Sequence, residues 1–446
     1  MTVAGNGKVK ADSEIPAIKV HFEKIMDGIE EAKAAAKGHD TIILVLGCNP
    51  MIPAREDYDR TSLALPDTQQ RLLDAFTGSE MKVIAVLLSN YPYTMNGAEK
   101  KIDAVLLSAT GSEYMGDAVA AVLFGEASPA GRIVQGWPAL EGMLPDMDDY
   151  RITGLRSYRY VSKGWLYPFG YGLTYEETAC SDLQIEDTDT EQLLVNLSVE
   201  NKGQTVSDEV VQIYATAEFD DEKFSGYGYG RRLIGYERIR GLQPGESRRI
   251  TIAVGGECLQ VYDVVKRDYI LYEGDYRIYA GRHAFDEAVS SEVHIDGEGF
   301  AKRDLSGLIP VYECDDYDNA EFEAGSFGMT AVSVKNGQKD ARLVFCKSIM
   351  PEKAEKAYIL LKSETEGRVD MIWNEKSISS WQGNTSSFDR ALTVYELPTE
   401  HTIMEDHWTA KWQEIECALE DADFAAEGTL KLVISGDARV LSIKFR

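Results

Sequence analysis

From Gly47 to Pro66 the chain reads GCNPMIPAREDYDRTSLALP, and charge is concentrated in one short part of it: Arg55, Glu56, Asp57, Asp59 and Arg60. Carboxyl groups this dense suit proton transfer. Splitting an acetal between sugars needs one carboxylic acid to protonate the leaving oxygen and a second carboxylate across the ring. Like charge from Asp57 and Asp59 raises the pKa of Glu56, while Arg55 and Arg60 lower it, and the sequence leaves that balance open. The competing reading is structural. Asp59 and Arg60 then form an ion pair or cap the entry of the next helix, and Glu56 is merely exposed.

The flanking segments must position these groups. Thr41 to Leu46 is an uninterrupted apolar run that reads as a fully buried strand. Asp67 to Phe76 places Leu72, Leu73 and Phe76 on one helical face. A strand, a polar loop and a helix put the charged loop at the carboxyl end of a sheet, where α/β folds place their chemistry. Ile25, Ile29, Ala32 and Ala36 predict a helix within Phe22 to Lys37, stopped by Gly38. Met81 to Ser89 and Asp103 to Ser108 predict two more buried strands, and Glu113 to Phe124 a helix ending at Gly125. This alternation predicts a mainly parallel sheet covered on both faces. The loops after each strand, including Asn90 to Tyr93 and Ala109 to Ser112, then share one edge.

The pattern changes twice further on. Between Pro129 and Tyr175 it becomes irregular and aromatic, with Trp137, Tyr150, Tyr158, Tyr160, Trp165 and YPFGYGL from Tyr167. Such density of proline, glycine and aromatic rings suits a packed belt across domains better than a flexible linker. From about Cys180 the apolar period becomes two, with strands expected at Leu193–Glu200, Glu209–Ala215, Arg248–Val254 and Tyr276–Ala280. The insert from Glu218 to Gly230 is a candidate rim loop or a surface loop. A second strand-rich region follows Tyr312, with strands expected at 342–345, 357–361, 368–373, 428–435 and 440–445. Its Trp373, Trp381, Trp408 and Trp412 are core residues or sugar-stacking platforms, core being the commoner use. The expected fold class is multidomain α/β plus all-β. It comprises a mainly parallel α/β sandwich over residues 1–175 and two β-sandwich domains over 176–298 and 299–446.

A net charge of −28 argues against nucleic acid and anionic membranes as partners. No stretch reaches the roughly 20 apolar residues of a membrane span. MTVAGNGKVKADSEIP at the start lacks the apolar core of a signal peptide. The six cysteines lie far apart without ligand spacing, which suits buried thiols in a reducing compartment. A cytoplasmic location is the expectation. His21, His39, His283, His294, His401 and His407 are scattered, so neither a metal nor another cofactor is expected.

Five segments carry a resemblance to a known family. They are EDYDRTSLALP from Glu56, AVAAVLFGEASPAG from Ala118, YPFGYGLTY from Tyr167, EVVQIY from Glu209 and LIGYERIRGLQPGE from Leu233. In this order the chain resembles the C-terminal part of glycoside hydrolase family 3, the β-glucosidases and β-xylosidases. The resemblance implies an α/β sandwich followed by a fibronectin type III-like domain, and the last region is similar to a family 6-type carbohydrate-binding module. It also implies that Glu56 is the general acid/base, with Asp57 and Asp59 as alternatives because the family's loop varies in length. Arg55, Asp57, Asp59 and Arg60 become substrate-binding candidates, with Asp59 and Arg60 shaping the loop and capping the following helix.

One departure changes the functional expectation. The family's nucleophilic aspartate sits on a (β/α)8 barrel, which needs about 250 residues, and only some forty precede the strand at Thr41. The chain is therefore expected to be one subunit of a split retaining exo-β-glycosidase acting on a β-glycoside. A separate barrel-bearing subunit would supply the nucleophile. The alternative is a non-catalytic carbohydrate-binding or scaffold protein derived from a glycosidase.

Overall fold

The computed structural model describes residues 2–3, 9–10, 26–48, 60–95, 97–145, 156–161, 163–186, 191–219, 229–324, 330–385, 412–420, 424 and 427–446. The chain divides into two compact units, one of residues 1–217, 227–255 and 275–293, the other of residues 218–226, 256–274 and 294–446. Strand predominates over helix among the described residues.

In the first unit, α1 (Gly28–Ala36) leads into β1 (Thr41–Gly47), α2 (Asp67–Phe76), β2 (Lys82–Leu88), β3 (Ala104–Ser108) and α3 (Met115–Leu123). Asp27 starts α1, accepting hydrogen bonds from the Ile29 amide at 3.0 Å and the Glu30 amide at 3.4 Å. That start is later than the predicted one, and Phe22 to Ile25 lie outside the described residues. The strands form a parallel sheet in the order β1-β2-β3. Leu44, Leu46, Val83, Ala85 and Leu87 face one core, shared with Ala32 and Ala36 of α1 and with Leu73 and Phe76 of α2.

On the other face of the sheet burial is uneven: Val86 of β2 is 1% exposed, whereas two side chains of β1 registered beside it and its neighbour are not buried. Side chains alternate across a strand, so Ile43 and Val45 point away from that core, and they are 44% and 64% exposed while Leu44 and Leu46 are 6% and 4% exposed. The third helix, MGDAVAAVL, adds no residue to that particular cluster among the described residues, and its Val119, Ala120, Val122 and Leu123 are half-buried. The apolar run at Thr41 had promised burial on both sides, and only one is realised.

A short antiparallel pair, β4 (Trp137–Pro138) with β5 (Trp165–Tyr167), opens the aromatic belt. Then come β6 (Thr178–Glu186), β7 (Gln192–Asn201), β8 (Ser207–Ala217), β9 (Arg232–Leu242), β10 (Ser247–Gly255), β11 (Val261–Asp263), β12 (Asp268–Ile270), β13 (Gly274–Gly281) and β14 (Val289–Ile295). They make a four-stranded sheet, β9-β8-β13-β14, a three-stranded sheet, β10-β7-β6, and a separate β11/β12 hairpin. Period two is plain in β7, where Leu193, Val195, Leu197 and Val199 are buried.

The belt is held by named contacts within the first unit. Tyr158 stacks on Phe169 with ring centroids 4.0 Å apart, and its hydroxyl accepts from the Leu233 amide at 3.0 Å. Gln212 donates to the Gly170 carbonyl at 3.0 Å and to the Arg282 carbonyl at 2.8 Å, while Tyr214 donates to its amide oxygen at 2.7 Å. Gly170 has φ +82°, and a Cβ there would sit 2.2 Å from that same oxygen. Arg132 pairs with Glu209, both side chains nearly buried, and Thr178 donates to the same carboxylate.

The second unit builds two six-stranded sheets. One is β15 (Arg303–Asp304), β20 (Asp340–Ile349), β25 (Gly428–Gly436), β22 (Gly367–Trp373) and β23 (Lys376–Gly383) in spatial order, with β17 (Asp316–Asp318) also on β20. The other is β18 (Ala320–Ala324), β19 (Thr330–Val334), β26 (Arg439–Phe445), β21 (Lys356–Lys362) and β24 (Gln413–Ala418), with β16 (Ile309–Pro310) also on β26. Leu343, Phe345, Met371, Trp373, Leu432 and Ile434 from the first share one core with Val332, Ile359, Leu361, Ile415, Ile443 and Phe445 from the second. Trp373 and Trp412 are each 2% exposed, and Trp381 packs partly buried against the core. Those three indoles serve packing. Trp408 lies outside the described residues.

Candidate active site

The carboxyl edge of β1-β2-β3 is built around one glycine. Gly47 ends β1 with φ +131°, and a Cβ there would lie 2.1 Å from the Leu88 carbonyl oxygen. Only glycine fits. The side-chain amide of Gln69, on α2, both accepts from the Gly47 amide and donates to its carbonyl, each at 2.8 Å. Cys48 then donates its backbone N–H to Leu88 at 2.9 Å. Strand end, helix and neighbouring strand are thereby locked together where the charged loop departs.

Arg55, Glu56, Asp57 and Asp59 lie outside the described residues. Arg60 is described, and it anchors the loop's return. Its guanidinium carbon is 4.1 Å from the ring centroid of Tyr91 and 5.2 Å from that of Tyr93, and it donates to the Pro92 carbonyl at 3.0 Å. Cation–π contacts of this kind contribute about 0.5–2 kcal/mol, more where water is excluded. Thr94 donates to the Leu63 carbonyl at 2.8 Å, and Ala64 and Thr94 form a parallel bridge. Ser62 donates to Glu141 at 2.8 Å. The return limb is thus an extra rung beside the sheet.

Of the expected helix cap, Asp59 lies outside the described residues, and the contacts of Arg60 are with Tyr91, Pro92 and Tyr93. Pro66 holds the N-cap of α2 without a side-chain cap bond, and Asp67 supplies the acidic residue of the first turn. Proline's fixed φ and the favourable charge at the helix start do that work instead. Arg60 is held by tyrosine rings that enter the chain some thirty residues later. The Asn90-Tyr91-Pro92-Tyr93 segment reads as a loop in sequence, but two rings flanking a proline directly after a buried strand were the available sign of this cradle.

Tyr93 is fully buried, and burial pushes its phenol up to about 12, aided by the neighbouring Cys48 and Tyr91 and opposed by Arg60. Tyr91 is also raised, by burial first and then by its hydrogen bond with Cys48. Both phenols stay protonated across the physiological range, so they act here as neutral rings and donors.

The remaining loops join the same edge. Asn90 donates to the Thr110 hydroxyl and accepts from the Thr110 amide at 2.9 Å, while Gln135 donates to the Asn90 carbonyl at 2.7 Å. A cleft of about 620 Å³ is lined by Leu63, Pro92, Gln135, Trp165, Tyr158 and Phe169 among others, Pro92 being the residue whose carbonyl accepts from Arg60. Its aromatic and aliphatic walls suit the apolar face of a small ligand. Among the described residues no group of three or more His, Cys, Asp or Glu side chains could hold a metal ion. None of the six cysteines, all described, forms a disulfide.

Comparison with known proteins follows the same division. A family profile described as "Glycosyl hydrolase family 3 C-terminal domain" matches residues 3–175, and one described as "Fibronectin type III-like domain" matches residues 209–284. The chain is similar to thermostable beta-glucosidase B of Acetivibrio thermocellus, 30% identical over 283 residues, covering 60% of this chain and 37% of that protein. It is similar to a beta-xylosidase of Formosa agariphila, 31% identical, covering 55% of this chain and 35% of that one. An exo-alpha-(1->6)-L-arabinopyranosidase of Bifidobacterium longum is 27% identical over 74% of this chain and 43% of its own length. Among solved structures, the GH3 beta-glucosidase of Bifidobacterium adolescentis superposes with a TM-score of 0.55 at 26% identity, covering 61% of this chain and 41% of that one. The matched part of the chain thus spans 35% to 43% of the length of these relatives.

Proposed function

We propose, from the premise that this chain carries the C-terminal portion of glycoside hydrolase family 3, that it is the acid/base-donating subunit of a split retaining exo-β-glycosidase. Its relatives include beta-glucosidases and beta-xylosidases, so β-glycosides are the substrate class. In this reading the first unit is an α/β sandwich with a fibronectin type III-like β-sandwich, and residues 299–446 are a carbohydrate-binding-module-like β-sandwich.

The observation that carries the proposal is the double anchoring of the charged loop. It leaves the sheet at Gly47, fixed by Gln69, and returns at Arg60, fixed by Tyr91, Tyr93 and Pro92. A loop rooted this firmly on a carboxyl edge is equipped to present a functional group. Glu56, as its acid, would donate a proton to the glycosidic oxygen as the bond to the anomeric carbon breaks. A carboxylate on the barrel-bearing partner would attack that carbon and form the glycosyl-enzyme. Glu56, now ionised, would take a proton from water, whose oxygen displaces the partner's carboxylate. The roles of Arg55, Asp57, Asp59 and Arg60 are to hold the loop and the sugar. The chain itself would hold no cofactor.

Glu56→Gln in the assembled complex tests this. It should lower kcat for an alkyl β-glycoside about 10³-fold, with much less loss on an aryl glycoside whose phenolate leaves without protonation. Full rate on the alkyl substrate would remove Glu56 from the mechanism. The non-catalytic alternative is less well supported, because Trp373 and Trp412 are committed to the core.

A further inference from the structure

The exposed outer side of β1 has a specific consequence. Parallel sheets are covered on both faces because their strands are apolar throughout. Here β1 is an edge strand, hydrogen-bonded along all seven residues to β2 and to no other strand among the described residues. Ile43 and Val45 project from it into solvent. An apolar edge strand with open N–H and C=O groups is a template for a further strand, and soluble proteins avoid leaving one uncovered.

We infer that β1 is completed by a strand from the barrel-bearing partner, added along its outer edge with an apolar segment packed over Ile43 and Val45. The inference rests on the split-enzyme reading above. Three features select this occupant. The relatives carry far more chain than this one, which covers 37% of the beta-glucosidase and 35% of the beta-xylosidase. The strand to be covered is the one that ends at Gly47, where the segment bearing Glu56 departs, so a partner seated there is held beside the root of that segment. Strand addition also supplies main-chain hydrogen bonds together with alternating side-chain contacts, which gives both affinity and register. A second copy of this chain would meet the first two features poorly, because it brings no barrel.

Hydrogen exchange and titration test the assignment, using this chain alone and with the barrel-bearing protein purified from the same cells. In the complex, amides of residues 41–47 should exchange at least about 10-fold more slowly than in the isolated chain. Val45→Glu should weaken association about 100-fold by burying a charge, while Val45→Ser weakens it less and both leave the melting temperature of the isolated chain unchanged. Unaltered affinity of Val45→Glu with no added protection at 41–47 would overturn the docking site and leave the Glu56 test untouched. Concentration-dependent protection of β1 in the chain alone would overturn the choice of partner in favour of a second copy. Recovery of the chain without any companion would overturn both readings. Protection on complex formation together with full activity of Glu56→Gln would uphold the docking and remove only the acid/base role.

Discussion

The paired six-stranded sheets of the second unit and the three-stranded sheet of the first treat their apolar residues differently. In the former, inward side chains of both sheets meet in one core, and Trp373 is 2% exposed at its centre. In the latter, Val45 on the edge strand is left 64% exposed although Val86, registered beside it on the same face, is 1% exposed. A region that closes its own core draws its stability from itself. One that leaves Ile43 and Val45 exposed gains little burial energy from those two side chains.

The largest effect that would break this contrast lies in the self-contained region. Trp373→Ala should destabilise it by about 3–5 kcal/mol, the range for deleting a large core aromatic, read from denaturant midpoints followed by tryptophan fluorescence. A loss below about 1 kcal/mol would mean that the twin sheets are less tightly closed than their burial indicates.

Next comes the buried pair within the first unit. Arg132→Met strands the Glu209 carboxylate, whose remaining donors, the Thr178 hydroxyl and the Val210 amide, are neutral and cannot compensate its charge. A loss of about 3 kcal/mol is expected for breaking such a pair one-sidedly, measured by chemical denaturation. Arg132→Met with Glu209→Leu should recover much of it, since two matched apolar residues leave no uncompensated charge.

The sharpest comparison is also the smallest. Leu44→Ala should cost the isolated chain about 2–5 kcal/mol, whereas Val45→Ala one residue away should stay within about 0.5 kcal/mol. Equal losses at both positions, measured by thermal melting, would show that the outer face is covered in solution.

Much of this architecture could be read from the chain. Periods of two and of 3.6 placed β7, β8, β10, β13 and the helices near their observed positions, because local sterics and burial dictate those patterns. The loop's exit from a strand end followed from the same logic. What sequence could not say was which side of Thr41–Leu46 remains bare, since a run apolar on both faces is the same string whether or not a second layer arrives. Nor could it pair Arg60 with Tyr91 and Tyr93, or Arg132 with Glu209. Partners 31 to 77 positions apart are chosen by the folded path, not by spacing. The β11/β12 hairpin was missed for a simpler reason: two strands of three residues carry too little period to register.

The locked exit at Gly47 has a practical corollary. One root is held by Gln69 and the other by the tyrosine pair, so the two ends of the segment are each fixed by contacts outside it. Residues 49–59 could be swapped for longer or shorter versions from other enzymes without retuning the scaffold. Any replacement of Gly47 itself, by contrast, would drive an atom into the backbone of Leu88. Diversity in such a cassette is permitted everywhere except at its hinge pin.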